Sequence, residues 1–197
     1  MLSQDEVLEI LKRVDAIKEG HFKFTSGLHG SIYIQCALLL KEPALSEKVC
    51  GAIAEHFRRE QPDLVVGPAL GGVIVAYEVA RQLGVPGLFT ERENGKMTLR
   101  RMFQVQPGQK VLVVEDVITT GGSSQEVVDL VEGHGARVVG VGSIVDRSNG
   151  RAKISVPYCS LLTLKIDNYD PADCPLCRQG IPLYKPGSRD SLVTPGL

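Results

Sequence analysis

The chain has 197 residues, 43% of them hydrophobic and 23% charged, and its formal net charge at pH 7 is −1. This length fits one compact domain or one domain with a small appendage. The balanced charge argues against a dedicated nucleic-acid binder, and no apolar stretch approaches the length of a membrane span. Asp5, Glu6 and Glu9 interrupt the N-terminal residues, so we expect no secretion signal and a cytoplasmic location, without membrane or nucleic-acid partners.

The first sixty residues predict two helices around one strand. A capping box opens at Ser3, and apolar residues recur at helical spacing over 7–17, with Gly20 placed to end the helix. A turn-rich segment follows, and residues 31–35 are typical of a strand. A second helix is expected over about residues 43–59, because a proline stands at its start.

From residue 63 onward, short apolar strands alternate with helices. Helices are expected up to about residue 83 and up to residue 132, and strands at 64–67, 85–89, 111–114 and 137–146. This alternation predicts an α/β fold with a central, mainly parallel β-sheet flanked by helices. We expect a single domain with a core over about 43–150, an added layer from about 1–42 and 151–185, and a tail over about 186–197.

The most informative segment follows the apolar run Val111–Val114. Two acids come first, and a loop of hydroxyls and glycines leads to the next helix: Glu115, Asp116, Val117, Ile118, Thr119, Thr120, Gly121, Gly122, Ser123 and Ser124. Ligands of open α/β sheets bind where strands end, and glycines with free N–H groups at a helix start favour a phosphate. Because carboxylates would repel that phosphate, they are better suited to sugar hydroxyls or a divalent cation.

The segment therefore predicts a sugar-phosphate site, although a plain strand-to-helix turn with an acidic N-cap is the alternative. It contains neither a Walker A sequence nor a Gly-x-Gly-x-x-Gly fingerprint. The string closely resembles the signature of type I phosphoribosyltransferases, which bind 5-phosphoribosyl 1-diphosphate. The resemblance implies that family's fold, with a small hood formed by the N- and C-terminal segments. It also implies that the two acids contact the ribose hydroxyls and that residues 119–123 hold the 5′-phosphate.

Four other segments, within about residues 15–150, resemble parts of orotate phosphoribosyltransferases. Residues 24–33 resemble the hood, and residues 63–72 resemble the diphosphate-binding loop. Residues 90–96 resemble the start of a mobile catalytic loop, and residues 143–147 resemble the strand end whose Arg contacts the orotate carboxylate. The implied reaction forms orotidine 5′-monophosphate and diphosphate, a step of pyrimidine biosynthesis.

The resemblance implies two sets of binding residues. Those for phosphoribosyl diphosphate are Arg92, Lys96, Glu115, Asp116, Val117, Ile118, Thr119, Thr120, Gly121, Gly122, Ser123, Ala69, Leu70, Gly71 and Gly72. Those for orotate are Thr119, Arg147, Ser26 and Tyr33. Lys96, Asp116 and Glu115 are expected to be catalytic, with Lys96 acting on the leaving diphosphate. The resemblance also implies Mg²⁺, held mainly through the substrate, and a homodimer.

The loop after residue 90 carries four cations within ten positions: Arg92, Lys96, Arg100 and Arg101. A mobile cationic loop would neutralise the departing diphosphate, whereas a solvated charged hairpin is the alternative. The sequence departs from the family's pattern here, because Glu93 stands where a second Lys is frequent and the loop contains no His. Either Gly71 or Gly72 stands where the diphosphate loop often carries a Lys, and Thr25 takes the place of a hood Lys.

These departures weaken the prediction of the base more than that of the transferase chemistry. Orotate is favoured because a guanidinium such as that of Arg147 is suited to a planar carboxylate. A purine or uracil phosphoribosyltransferase is the main alternative. A non-catalytic regulator that binds phosphoribosyl diphosphate is a third reading, opposed by the near-neutral charge and the lack of a helix-turn-helix pattern.

Cys174 and Cys177 form a Cys-x-x-Cys pair near the end of the chain. Structural zinc usually has four ligands, and no second such pair exists in the sequence. A dimer could supply two pairs, or Cys159 could join the pair. A local disulfide and two free thiols stay open as alternatives.

Overall fold

The computed structural model describes residues 2–24 and 26–186. The elements in chain order are α1 (Gln4–Arg13), β1 (Ile17–Lys23), β2 (His29–Ile34), α2 (Ala37–Leu40), α3 (Pro43–Phe57), a 3-10 turn (Arg58–Glu60), β3 (Leu64–Pro68), α4 (Gly71–Leu83), β4 (Gly87–Glu93), β5 (Lys96–Leu99), β6 (Lys110–Ile118), α5 (Gly122–Gly133), β7 (Arg137–Asp146), β8 (Tyr158–Thr163), β9 (Asn168–Tyr169) and α6 (Pro175–Arg178). Among these helices, none combines the length and the apolar character that a bilayer crossing requires.

The chain divides into two compact units. The larger unit contains Met1–Ala16 and Cys36–Lys165, and the smaller unit contains Ile17–Gln35 and Ile166–Leu197. Helix α1 and strand β8 therefore belong to the larger unit, although our sequence boundaries assign both to the added layer. The predicted division into core and hood stays a prediction. The predicted tail lies almost entirely outside the described residues.

A six-stranded sheet organises the larger unit, in the order β5-β4-β3-β6-β7-β8. Five neighbouring strands, from β4 to β8 in this order, run parallel, and β5 pairs antiparallel with β4 at one edge. Helix α5 packs on the face that carries Leu64 and Val66. Helix α4 packs on the other face, close to Gly87. The predicted α/β fold with a mainly parallel sheet is confirmed.

Strand β6 lies in the middle of this sheet, and its apolar run explains why. Val111, Leu112, Val113 and Val114 are each fully buried, so the strand is covered on both faces. The strand continues through both acids to Ile118, four residues beyond the apolar run that predicted it. Its last residues are therefore positioned by sheet pairing with β7 rather than by a free loop.

The connections around β3 and β6 create a crevice at one edge of the sheet. Strand β3 leads through α4 to β4 on one side, whereas β6 leads through α5 to β7 on the other side. In open α/β sheets, the point where the strand order reverses leaves a crevice at the carboxyl ends, and ligands bind there. The topology thus selects the loops that follow β3 and β6 as the candidate site.

A three-stranded antiparallel sheet, in the order β1-β2-β9, forms the smaller unit. The sequence prediction of one helix up to Gly20 is wrong here. Helix α1 begins at the predicted capping box but ends at Arg13, with Val14 as its C-cap, and Ile17 starts β1. Asp15 has a φ of 56°, a left-handed conformation that turns the backbone out of the helix.

The other predicted elements agree closely with the structure. The expected helix ending near residue 83 is α4, and the expected strand at 137–146 is β7 with the same bounds. Helix α3 starts at the predicted proline and ends at Phe57, two residues early, because the chain tightens into a 3-10 turn.

Candidate active site

The two loops at the carboxyl edge meet at Asp116 and Gly71. A Cβ atom placed on Gly71 would overlap the Asp116 carboxylate, so no larger residue fits at this position without movement. The carboxylate also accepts a hydrogen bond from the Val117 N–H at 2.8 Å, which fixes its orientation. The predicted ribose-binding acid and the predicted diphosphate loop are thus brought together by the ends of β6 and β3.

Glu115 is buried, with 8% of its surface exposed, directly beside this carboxylate. Its Oε1 atom accepts the Asp116 N–H at 3.1 Å. Burial, followed by the negative charge of Asp116, raises the pKa of Glu115 to about 9. At neutral pH Glu115 therefore keeps its proton, and a bound cation would favour losing it.

The loop between β6 and α5 has the form expected of an anion site. Gly121 is the N-cap of α5 with a φ of 87°, and its neighbours leave no room for a Cβ without contact to Lys153 and Ile154. Thr120 Oγ1 accepts a long hydrogen bond from the Gly122 N–H at 3.4 Å. The first N–H groups of this twelve-residue helix face the start of the loop, where the helix dipole favours negative charge.

A small cavity of about 70 Å³ lies within this loop. Its lining residues are Glu115, Val117, Ile118, Thr119, Thr120, Gly121, Gly122, Ser123 and Ser124. Pockets for whole drug-sized ligands measure roughly 300–1,000 Å³. The cavity is thus suited to one anionic group, and the rest of a substrate would extend out of it.

The loop after β3 is short and places backbone next to the crevice. Ala69 and Leu70 connect β3 to α4 through a cis peptide bond, and the Ala69 N–H donates to the Thr90 carbonyl at 2.8 Å. Leu70 is the N-cap of α4 and has no side-chain cap, so N–H groups at the helix start stay available. Backbone donors can therefore serve where the family often has a Lys.

The predicted mobile loop is a β-hairpin in this structure. Strands β4 and β5 pair antiparallel around Asn94 and Gly95, whose φ values of 51° and 82° fit a two-residue turn with left-handed positions. The Asn-Gly dipeptide between two strand-forming runs could have predicted this hairpin. The structure therefore shows the alternative given in the sequence analysis, a charged hairpin.

Three of the four hairpin cations are paired with carboxylates. Arg92 forms a bidentate ion pair with Glu126 of α5, with N···O distances of 2.8 and 2.9 Å, and this partner was not predicted. The other two pairs are Arg101–Glu91 at 3.0 Å and Arg100–Glu93 at 3.8 Å. Lys96 is exposed and has no carboxylate within ion-pair distance among residues 2–24 and 26–186. It is the hairpin cation most available to a ligand.

Arg147 lies at the carboxyl end of β7, beside the end of β6. Its N–H donates to the Ile118 carbonyl at 2.9 Å, and its side chain is half-buried. The preceding Asp146 is buried and accepts the N–H groups of Ser148 and Gly150 at 2.6 and 3.0 Å. This turn fixes the backbone at Arg147, next to the end of β6.

The remaining two predicted orotate residues, Ser26 and Tyr33, belong to the smaller unit. Ser26 lies in the turn between β1 and β2, and Tyr33 lies on β2. Their contact with a base stays a prediction.

Comparisons with known proteins agree with this geometry. Residues 37–176 match the family model described as a phosphoribosyl transferase domain. The chain is 54% identical over 188 residues to the orotate phosphoribosyltransferase of Desulforamulus reducens, covering 95% of this chain and 98% of that protein. It is 53% identical to the orotate phosphoribosyltransferase of Pelotomaculum thermopropionicum, covering 95% and 99%.

Solved structures show the same architecture. The crystal structure of orotate phosphoribosyltransferase from Aeropyrum pernix matches with a TM-score of 0.69 at 27% identity, over 81% of this chain and 94% of that one. Adenine phosphoribosyltransferase from Saccharomyces cerevisiae matches with a TM-score of 0.64 at 22% identity, over 79% and 99%. The second likeness concerns the fold alone.

The parallel sheet, the acid pair at its switch point and the matched domain define a type I phosphoribosyltransferase. Two orotate phosphoribosyltransferases are 54% and 53% identical to this chain over 95% of its length, which identifies the group within this class. The chain belongs to the orotate phosphoribosyltransferase family, and the resemblance seen in the sequence is confirmed.

We expect Glu115→Gln to stabilise the substrate-free protein increasingly as pH rises. The pKa of Glu115 is about 9 when folded and 4.5 as an unperturbed side chain, so the unfolded state loses this proton first. The wild-type protein therefore loses stability between about pH 4.5 and pH 9, and the variant lacks this loss. Calorimetry should give similar Tm values near pH 4.5 and a variant advantage of at least about 2–4 °C at pH 8.

The control is Glu132→Gln, which changes an exposed glutamate on α5. Its Tm should follow that of the wild-type protein at every pH. A Glu115→Gln difference that does not vary with pH would contradict the assigned cause.

Proposed function

We propose that this protein transfers the 5-phosphoribosyl group from 5-phosphoribosyl 1-diphosphate to orotate, giving orotidine 5′-monophosphate and diphosphate. The observation that carries the proposal is the contact between Asp116 and Gly71 at the switch point of the sheet. It puts an acid suited to ribose hydroxyls against a backbone loop suited to diphosphate. Membership of the orotate phosphoribosyltransferase family supports the choice of reaction.

The residues act mainly by positioning the substrate and by electrostatics. The loop from Thr119 to Ser123 holds the 5′-phosphate through N–H groups and hydroxyls, and the acid pair accepts the ribose hydroxyls. The ring then lies with C1′ between the diphosphate on the β3–α4 loop and the incoming base. As the C1′–O bond breaks, diphosphate leaves with the bonding electrons, and the orotate nitrogen forms a C1′–N bond from the opposite face while its N–H bond breaks and the proton passes to solvent.

Lys96 is the proposed cation for the leaving diphosphate. It is the hairpin cation without a carboxylate partner among the described residues, and its exposed position at the start of β5 leaves it free to contact a ligand. Arg92 joins it when the bidentate pair with Glu126 opens, because in this conformation Nη1 and Nη2 both donate to that carboxylate and Nη1 also donates to the Gly95 carbonyl. Diphosphate binding would thus replace one carboxylate partner by a more highly charged anion.

Mg²⁺ is the proposed cofactor, held mainly through the substrate's diphosphate and ribose oxygens. The site fits a divalent cation, because the carboxyl oxygens of Glu115 and Asp116 lie on adjacent residues and oxygen ligands are those that Mg²⁺ prefers. When bound, it would screen the charge of the diphosphate. Glu115 and Asp116 would orient the hydroxyls that the cation contacts.

Arg147 is the proposed contact for the orotate carboxylate. The residue is half-buried, and its backbone N–H donates to the Ile118 carbonyl at the end of β6, which supports a role for it at this edge of the sheet. A planar fork of donors matches a planar carboxylate, and a purine offers no such group. Thr119, Ser26 and Tyr33 are the further proposed contacts of the base.

A homodimer and a cytoplasmic location complete the proposal. Leu70, Ile74 and Tyr77 are 87%, 44% and 68% exposed and lie at helical spacing on one side of α4. An apolar stripe of this kind is typical of a surface that a second subunit covers. The five cysteines, all within the described residues, are free thiols, as is usual in the cytoplasm.

The reaction is tested by mixing the protein with phosphoribosyl diphosphate, Mg²⁺ and one base at a time. Orotate should be consumed, as followed by ultraviolet absorbance, whereas adenine, xanthine and uracil should not.

Arg147→Ala should raise the KM for orotate at least tenfold, a loss of about 1.4 kcal/mol, and should change the KM for phosphoribosyl diphosphate less. Arg151→Ala, an exposed arginine of the same turn, is the matched control. Turnover of another base without orotate would overturn the proposal.

Lys96→Ala should lower kcat at least tenfold, because the transition state loses the charge that stabilises departing diphosphate. The control is Arg100→Ala, which removes a surface ion pair with Glu93 and should leave kcat within about twofold. Steady-state rates at saturating substrate give the kcat of both variants. Equal losses in the two variants would assign the effect to general charge rather than to Lys96.

Tyr77→Glu should shift the protein from dimer to monomer, since it places a charge at one end of the apolar stripe. Sedimentation velocity at micromolar concentration measures the change. Tyr77→Phe keeps the ring and should remain dimeric. A wild-type protein that sediments as a monomer would contradict the proposed assembly without affecting the proposed reaction.

A further inference from the structure

The smaller unit contains a cluster of four metal-ligating side chains that the proposed reaction does not use. His21 lies on β1, His29 lies on β2, and Cys174 and Cys177 lie at the start of and within α6. One ligand atom from each side chain lies within 4.8 Å of the others. The sequence had indicated only the two cysteines, because the histidines are separated from them by about 150 positions.

Strand pairing brings the two histidines together. Phe22 pairs with Gly30 across β1 and β2, so these two residues share one face of the sheet. His29 is the register partner of Lys23, and His21 lies in the irregular stretch between Glu19 and Phe22, one position before the Phe22–Gly30 pair. Their rings stand edge to face, with 3.0 Å between His21 Nε2 and His29 Nδ1.

The thiols complete a four-cornered arrangement. Cys174 Sγ lies 3.5 Å from His21 Nε2, and Cys177 Sγ lies 3.7 Å from His21 Nε2 and 3.4 Å from His29 Nδ1. With Zn–S bonds of about 2.3 Å and Zn–N bonds of about 2.0 Å, a regular tetrahedron has S···N edges of about 3.5 Å. The three measured S···N distances agree with this value.

Hydrogen bonding prepares His21 to bind a metal. Its Nδ1 atom lies 2.8 Å from the Ile181 carbonyl oxygen. A carbonyl can only accept, so Nδ1 carries the proton and Nε2 presents a lone pair to the cluster. Metal-bound histidines usually have this second hydrogen bond, which fixes the tautomer and the ring. Tyr184 N–H donates to the His21 carbonyl at 2.8 Å and anchors the same segment.

We propose that His21, His29, Cys174 and Cys177 form a structural zinc site. Two thiolates and two imidazoles are a ligand set typical of zinc, and four protein ligands leave no open position for catalysis. The cluster is enclosed, since Cys174, His21 and His29 are 1%, 3% and 4% exposed, whereas Cys177 reaches the surface. Neither a partner subunit nor Cys159 is needed to complete the set.

The small size of the unit explains what a metal would contribute. In its described part, the buried apolar side chains are those of Phe22, Ile34, Ile166 and Cys174. Units of this size rarely gain enough stability from apolar burial and commonly depend on a metal or a disulfide. A zinc ion would join segments 153 positions apart, from β1 to the start of α6.

The test uses the full-length protein, stripped with a chelator under reducing conditions and reloaded with Zn²⁺ or Co²⁺ alone. We expect one ion per chain by elemental analysis. Bound Co²⁺ should show the intense visible bands of tetrahedral coordination and near-ultraviolet charge transfer from two thiolates. Cys177→Ser should weaken Zn²⁺ binding at least about 100-fold, and because Cys177 is exposed, the variant should fold. Circular dichroism checks its folding.

Cys159→Ser and His134→Gln are matched controls, since they remove a thiol and an imidazole outside the cluster. Both should bind one ion with wild-type affinity, whereas His29→Gln should not. Failure of the wild-type protein to bind Zn²⁺ would overturn the proposal. So would equal affinity in Cys177→Ser, or a Cys174–Cys177 disulfide found by mass spectrometry in protein kept under reductant. These readouts are independent of transferase activity.

Discussion

The close approach of two strand ends is the constraint on which the site depends. Strands β3 and β6 are paired in parallel and end at the same edge, so the Asp116 carboxylate packs directly on the backbone of Gly71. This approach needs an apolar strand buried on both faces, which the run before Glu115 supplies. It also needs two crossover helices that diverge to opposite faces. The fold thereby brings the Asp116 carboxylate and the backbone of the β3–α4 loop to one crevice at the carboxyl edge.

Charge in the larger unit is separated between this crevice and the hairpin. The crevice holds two adjacent acids, of which Glu115 has a raised pKa, and the hairpin holds four cations, three of them paired with carboxylates. The overall net charge of −1 hides this separation. A polyanionic substrate with a divalent cation would match both regions. Each region is paired internally until such a ligand arrives, which keeps the cost of gathering like charges small.

Local patterns predicted the core well, and contacts between distant segments escaped prediction. Periodicity located β7 and α4, because these elements depend on neighbouring residues, and the binding role of the acid pair stays a prediction. The end of α1 was misplaced because Ile17 continues the helical spacing although the backbone turns at Asp15. The Arg92–Glu126 pair and the histidines beside Cys174 and Cys177 arise from tertiary packing. No spacing in the sequence indicates that Arg92 contacts Glu126 or that the histidines contact the cysteines.

The proton on Glu115 has a consequence for substrate binding. Glu115 is protonated near neutral pH, whereas ribose hydroxyls and a cation favour its ionised form. Binding through the carboxylate must then expel a proton into the buffer. Below the pKa of Glu115, apparent affinity would fall by up to about tenfold for each pH unit. The heat of binding would then contain the ionisation heat of the buffer, because the proposed substrate would release the proton of Glu115.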